Sequence, residues 1–313
     1  MTETPTLAEL RTILGDLGLG EPVAVTELAG GSNKAFRIDL ADGAAVVLKT
    51  YDELGATFPA SEAYASRLLA GLDMPVTHYL AVDESLTRLP FRFALTNHLP
   101  GVTAASLRDD PGIADVYRQM GVLLRRLHAV HLLAFGHFDA TGIHDPVPDN
   151  AISMQRTAAH AFAQFRKYGG DPALADRLAR IVAARAELFA QSGGPVFAHD
   201  DFHVGNILSE RDADGHLRLT GLIDFGNARA ADAVSDLAKT LFMADHDAPG
   251  ASAHIRAGYG PVGHPDPEAA LWLYTLLHRV VMWWCLRRVG AIADGVHDPL
   301  IADLSQMAKE GGP

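Results

Sequence analysis

Apolar and polar positions alternate in short runs from Val23 to Lys49 (VAVTELAGGSNKAFRIDLADGAAVVLK), with breaks at Gly30-Gly31-Ser32-Asn33 and at Asp42-Gly43. β-Branched runs cut by Gly-Gly and Asp-Gly predict antiparallel hairpins. From Ser61 to Leu72 the apolar spacing becomes helical, with Ser61 as the predicted N-terminal cap and Gly71 as the stop. Strand-like text resumes at Arg92 to Asn97 and closes at Pro100-Gly101. After Pro111-Gly112 the pattern turns Ala- and Leu-rich, predicting helices over Ile113 to His131, Ala151 to Tyr168 and Pro172 to Gln191. Two strand-like pieces, Ile207 to Leu208 and Leu217 to Ile223, flank the turn Asp212-Ala213-Asp214-Gly215. A Pro/Gly-rich loop at 258–267 leads into a helical tail from Asp266 to Met307. The predicted class is α+β with two lobes: residues 1–100 form an antiparallel sheet with one main helix, and 101–313 are mainly helical with one hairpin inside. Trp272, Trp283 and Trp284 fall at helical spacing and are read as core.

Composition narrows the class without changing that layout. At 313 residues the chain can bury two cores, and 48% apolar with 20% charged residues is the balance of a soluble globular protein. No stretch approaches the roughly 20 apolar residues that span a bilayer. The start MTETPTLAELRTIL is acidic rather than signal-like, so a cytoplasmic location is expected. Cys285 is the single cysteine, which excludes an intramolecular disulfide and a thiolate zinc cluster. The formal net charge of -12 argues against general affinity for nucleic acid or anionic membranes, and favours a cationic or metal-bound small molecule.

The candidate chemistry lies in two motifs. His199-x-Asp201-x-x-x-x-Asn206 stands just before a predicted strand, and Asp224-Phe225-Gly226 ends the next one. Phosphoryl transfer from a nucleotide needs groups that hold the phosphates, a metal clamp and a residue that orients the attacking hydroxyl. A hairpin between the motifs would bring Asn206 and Asp224 together as oxygen ligands for Mg²⁺, while Asp201 faces the acceptor hydroxyl. The bland alternatives are a turn-capping Asp201, a strand-end Asp224 and a solvated Lys49. Zinc at His203 is disfavoured because oxygen donors suit Mg²⁺.

With Lys49 and Glu62 upstream in order, these motifs resemble the aminoglycoside phosphotransferase and choline kinase group of the protein-kinase-like fold. The resemblance implies that Lys49 holds the nucleotide phosphates and pairs with Glu62, although Glu53 is also within reach in sequence. It places Thr96 to Gly101 under the purine, with backbone groups of Asn97 and Leu99 meeting the base, and Ser32 in the turn near the phosphates. That turn lacks the GxGxxG text of protein kinases. LLRRLHAVH (Leu123 to His131) is similar to the helix before the substrate insert; Asp232 and Asp236 match the segment after the metal motif. Asp236 would brace the catalytic loop by accepting backbone N–H bonds, with a helix N-cap as its bland alternative, and His199 would support the loop through hydrogen bonds. The implied activity is ATP- or GTP-dependent phosphorylation of a small-molecule hydroxyl, with an antibiotic as the first expectation. Homoserine, choline, methylthioribose or fructosamine are the rival acceptors, and a catalytically inactive nucleotide-binding protein is the reading from another class. The acceptor is expected between residues 140–192 and the C-terminal helices, where Asp232, Asp245, Asp247 or Glu268 could meet amines. The departure is Asp200, which stands where the family commonly has Gly. It is expected to face solvent or a cationic acceptor and to be dispensable.

Overall fold

The structure, a computed structural model, describes residues 4–29, 33–51, 58–292 and 299–313. Two compact units emerge: Met1–Val116 with Phe138–His144 and Val204–Ala228, and Tyr117–His137 with Asp145–His203 and Arg229–Pro313.

Period-two burial builds the first unit. After helix α1 (Leu7–Asp16), closed by a Thr6/Glu9 capping box, come strands β1 (Pro22–Leu28), β2 (Ala35–Leu40) and β3 (Ala45–Tyr51). Phe36, Ile38 and Leu40 on β2, and Val46 and Leu48 on β3, point to one face, as strand alternation requires. That face packs on Leu10, Ile13 and Leu14 of α1 in a single apolar cluster that also takes in Phe93 and Leu95. Helix α2 (Pro59–Leu68), β4 (Tyr79–Asp83) and β5 (Arg92–Asn97) complete an antiparallel sheet ordered β1-β2-β3-β5-β4. Ser61 is not the cap of α2. Phe58 occupies that position without a side-chain bond, Pro59 opens the helix, and the Ser61 hydroxyl donates to Phe58 O at 2.7 Å. Proline at the first helical position has the required φ and no N–H to satisfy. A two-residue strand, β6 (Val102–Thr103), follows the sheet.

The second unit takes most of helix α3 (Ile113–Leu127) and of β7 (Phe135–Phe138), the end of β8 (Ile143–Val147), then α4 (Asn150–Lys167), α5 (Pro172–Ala184), α6 (Glu187–Ala190) and β9 (Pro195–Ala198). α3 stops short of His131 because the chain turns extended there: Val130 O accepts from Phe197 N–H, and Leu132 N–H donates to Pro195 O. The helix expected over Pro172 to Gln191 is two, broken at Arg185-Ala186. The chain then re-enters the first unit for the hairpin β10 (Ile207–Arg211) and β11 (Leu217–Leu222), with β6 on its open edge. It ends in the second unit with β12 (Arg229–Asp232), α7 (Ala233–Asp247), α8 (Ala251–Tyr259), α9 (Pro267–Arg288) and α10 (Pro299–Glu310). β12 pairs between β7 and β9. α3 and α8 cross closely enough that a Cβ on Gly258 would stand 1.9 Å from Arg118 O, and one on Gly121 2.1 Å from Ile255 O.

α9 is the exception to the expectation that no stretch could span a bilayer. Its 18-residue window reaches a mean hydropathy of 1.3, yet half of that window is buried inside the protein, as in a core helix. Of the three tryptophans only Trp283 is core, packed 4.5 Å from the Phe165 ring. Trp284 is half-buried and stacks on Tyr168, and Trp272 lies half-buried beneath Arg185.

Candidate active site

In the first unit β3 carries Lys49 and α2 carries Glu62. Lys49 Nζ donates to both Glu62 oxygens, at 2.9 and 2.8 Å, and to Asp224 Oδ1 at 2.9 Å. Glu62 is fully buried and also accepts from the Tyr79 hydroxyl on β4. Burial raises the pKa of the Glu62 carboxyl, and the Lys49 ammonium opposes that rise. Burial would discharge Lys49, but Glu62, Tyr51 and Asp224 outweigh it and hold the ammonium charged. A desolvated lysine stays charged only with such partners.

Asn206 and Asp224 flank the same end of the β10–β11 hairpin. Ile207 pairs with Leu222, and Asn206 O accepts from Ile223 N–H at 3.0 Å. The chain turns there because Asp224 adopts a left-handed φ of 65°, tolerated better by Asp than by most residues. The Asp224 carboxylate is 41% exposed, so it can take a second cation beside Lys49. A carboxylate and an amide oxygen are hard donors that fit Mg²⁺. Among the described residues no group of three or more His, Cys, Asp or Glu side chains could hold a metal without further ligands.

In the second unit the stretch His199 to His203 is fastened from behind. The N–H groups of His199 and Asp200 donate to the Asp236 carboxylate of α7, at 2.8 and 2.9 Å. His128 Nε2 lies 3.1 Å from Asp236, and its Nδ1 lies 2.8 Å from the Tyr259 hydroxyl of α8. Burial pushes that hydroxyl up to about 12, so it stays a donor. Burial also acts to raise Asp236, but the His128 bond and charge win and hold it below the usual carboxylate range. Because its folded value is depressed, Asp236 contributes stability that is present above about pH 4 and lost as pH falls through the lower folded value. Replacing it as Asp236→Ala orphans two loop amides, and a charge-assisted bond is worth about 1.5–3 kcal/mol. The expected loss is of that order near neutral pH and shrinks toward pH 2 in urea titrations; a pH-independent loss would show that the charge is irrelevant.

Asp201 itself is partly exposed at 27%, with Oδ2 3.8 Å from His203 Nε2 and Oδ1 4.0 Å from Lys239 Nζ. Asp200 does not face solvent. Its φ is 54°, its Oδ2 lies 2.8 Å from Arg229 Nε, its Oδ1 lies 3.5 Å from Lys239 Nζ, and its carbonyl accepts from Lys239. The left-handed backbone explains why Gly suits this position; the two cations explain how Asp serves instead. Burial raises the Asp200 carboxyl, but Arg229 and Lys239 bring it down to about 2.

The structure therefore joins Lys49, Glu62 and Asp224, places Asn206 at the same hairpin end, and seats Asp201 three residues before the chain enters the first unit. Asn97 has its N–H taken by His78 O, and its side-chain oxygen accepts from His78 N–H. Leu99 packs against Gly221, where a Cβ would come within 2.8 Å. Ser32 and Glu53 lie outside the described residues. The carboxylates expected to meet amines are otherwise employed: Asp232 is buried against Tyr274 and the Val234 amide, Asp245 accepts from Gly250 and Ser252, and Glu268 pairs with Arg256. Asp247 is exposed. Asp245 and Glu268 do line a cavity of about 810 Å³, with Trp272 and Asp303, but none of its walls comes from 140–192. Its α7 wall is Ala238, Leu241, Phe242, Asp245 and His246. Sequence reasoning missed Tyr79, Arg229 and Lys239. Nothing in their local text marks them, since each acts through a partner distant in the chain.

A family model described as the phosphotransferase enzyme family matches residues 24–273. Among solved structures, a thermostable mutant of the aminoglycoside phosphotransferase APH(4)-Ia in its apo form aligns with a TM-score of 0.71 at 17% identity, over 98% of this chain and 99% of that one. A ternary complex of another such mutant with AMP-PNP and hygromycin B aligns at 0.69 and 18% identity, over 97% and 96%. A choline/ethanolamine kinase family protein from Mesorhizobium loti aligns at 0.63 and 16%, over 97% and 94%. The α+β architecture is thus the protein-kinase-like fold of these phosphotransferases. No curated protein matches the sequence significantly.

Proposed function

The chain belongs to the phosphotransferase enzyme family and is a small-molecule kinase; from that premise we propose that it moves the terminal phosphoryl group of ATP or GTP onto a hydroxyl of a small molecule, with an antibiotic as the expected acceptor. The observation that carries the reading is the Lys49 ammonium shared between buried Glu62 and half-exposed Asp224. That arrangement fixes a cation beside a carboxylate able to take a metal ion, as nucleotide phosphates demand. In this reading Glu62 and Tyr79 aim Lys49 at the phosphates, and Asn206 and Asp224 hold Mg²⁺. The ion would neutralise charge developing between the β- and γ-phosphates. Backbone groups near Asn97 and Leu99 would receive the purine. Asp201 accepts the hydroxyl proton and aims its oxygen in line with the γ-phosphorus. Transfer is direct, with no phosphoenzyme.

A relative by fold is held with hygromycin B and another is a choline/ethanolamine kinase family protein, which supports testing antibiotics and amino alcohols first as acceptors. Thermal shift with ATP and with GTP, each with and without Mg²⁺, tests the donor half. Stabilisation should need the metal and should follow ligand concentration, and its absence under all four conditions would sink the proposal. Nucleotide consumption across aminoglycosides, nucleoside antibiotics, macrolides, amino alcohols and pentoses, with the product mass checked for one added phosphate, tests the acceptor half.

A further inference from the structure

Two adjacent carboxylates, Asp200 and Asp201, sit beside a single ammonium. Lys239 Nζ reaches the Asp200 carbonyl, lies 3.5 Å from Asp200 Oδ1 and 4.0 Å from Asp201 Oδ1. Arg229, the other cation, is turned to the first carboxylate: its backbone is pinned in β12 opposite Ala198 and His137, and its Nε lies 2.8 Å from Asp200 Oδ2. His278, on α9, has its Nε2 on Ser235 O at 2.9 Å, and burial depresses it to about 4, so it adds no charge at neutral pH. Lys239 is therefore the cation that reaches both members of the pair. It stands on α7 one turn beyond Asp236, the residue that takes the amides of the same loop. One helix face thus grips the loop through its N–H groups at Asp236 and through its carbonyl and carboxylates at Lys239.

We propose that Lys239 is a positioning residue for the carboxylate of Asp201, and that Asp200 serves to place Lys239. The inference rests on the reading of Asp201 as the group that orients the acceptor hydroxyl. Without Lys239, Asp201 would share the turn with a like charge and lose the ammonium that stands 4.0 Å from its Oδ1. Without Asp200, the ammonium loses its second anchor although glycine fits the backbone better. The doubled aspartate is then one device: the first carboxylate holds the lysine, and the lysine holds the second carboxylate.

The test uses the full chain and the panel acceptor that it phosphorylates. Lys239→Met should lower kcat by about 10- to 100-fold, the scale of a small misplacement at the reacting centre, with KM for the nucleotide unchanged. Lys239→Arg should recover most of that loss. Asp200→Gly should lower kcat about tenfold, and Asp200→Gly with Lys239→Met should be no worse than Lys239→Met alone, because Asp200 acts through the lysine. A merely structural lysine would instead change kcat and KM together, and Lys239→Met with wild-type kcat overturns the proposal. A second measurement does not depend on turnover. In a cycle of Asp201→Asn, Lys239→Met and the double variant, urea midpoints should be non-additive, and additive midpoints refute the contact. If the wild-type chain consumes no nucleotide with any acceptor, the kinase reading of this site fails, while the cycle still decides whether Lys239 holds Asp201.

Discussion

Asp201→Asn lowers kcat by about 10²- to 10⁴-fold, the usual contribution of a positioned base, and leaves the urea midpoint close to that of the wild type. The two halves of that expectation have separate grounds. Catalytically, asparagine keeps the size of the side chain and loses the acceptor for the hydroxyl proton. Structurally, the loop does not hang on this residue: its amides are taken by Asp236, and its carbonyl at Asp200 by Lys239. The side chain is 27% exposed, and its ion pairs with His203 and Lys239 span 3.8 and 4.0 Å, a separation at which partly solvated charges contribute on the order of 1 kcal/mol or less. Nucleotide affinity, read as the Mg²⁺-dependent thermal shift, should survive as well, since Lys49, Glu62 and Asp224 are untouched. A variant that keeps a tenth of wild-type kcat would remove Asp201 from the role of base.

How much of this was legible in the sequence depends on how local each signal is. Alternating burial in β2 and β3 was readable because period two and the Asp42-Gly43 turn are local, and Gly43 does take a φ of 88°. The hairpin carrying Asn206 and Asp224 was readable for the same reason. Four-residue strands such as β9 and β12 were not, because a run that short has no period and exists only through partners far along the chain. Ser61 was read as a cap on composition, yet Pro59 two residues earlier had the stronger claim to the helix start. Asp200 shows the limit most clearly. Its residue type suggested solvent, while its conformation and its partners on β12 and α7 bury it as an ion-paired strut. Asp224 was legible from its hairpin with Asn206, and the pairing of Lys49 with Glu62 through the family motif; that the two carboxylates share one ammonium, with Tyr79 on the far side of Glu62, is a property of the fold.

Lys49→Met should be the most damaging single change, because it removes two things at once. Glu62 is fully buried and receives both of its charged hydrogen bonds from Lys49. Stripping one partner from a buried ion pair costs about 3–5 kcal/mol, whereas exchanging both for apolar side chains of similar volume is far cheaper. Lys49→Met with Glu62→Met should therefore be more stable than Lys49→Met alone, short of wild type because the Tyr79 hydroxyl loses its acceptor, at about 1–3 kcal/mol. The sign of the pH dependence follows from Glu62, whose carboxyl is already raised by burial and loses the ammonium that opposed the rise. With the folded value above the unfolded one, the native state of the single variant binds the extra proton, so its stability falls as pH rises from about 4.5 through the folded value. Its deficit against wild type should thus be smaller at pH 5 than at pH 8 in urea titrations, and the double variant should show no such trend. Neither variant should turn over nucleotide, since the double variant restores packing and not the cation. That separation of stability from activity distinguishes a phosphate-holding lysine from a purely structural one: recovery of turnover along with stability in the double variant would leave Lys49 with the structural role alone.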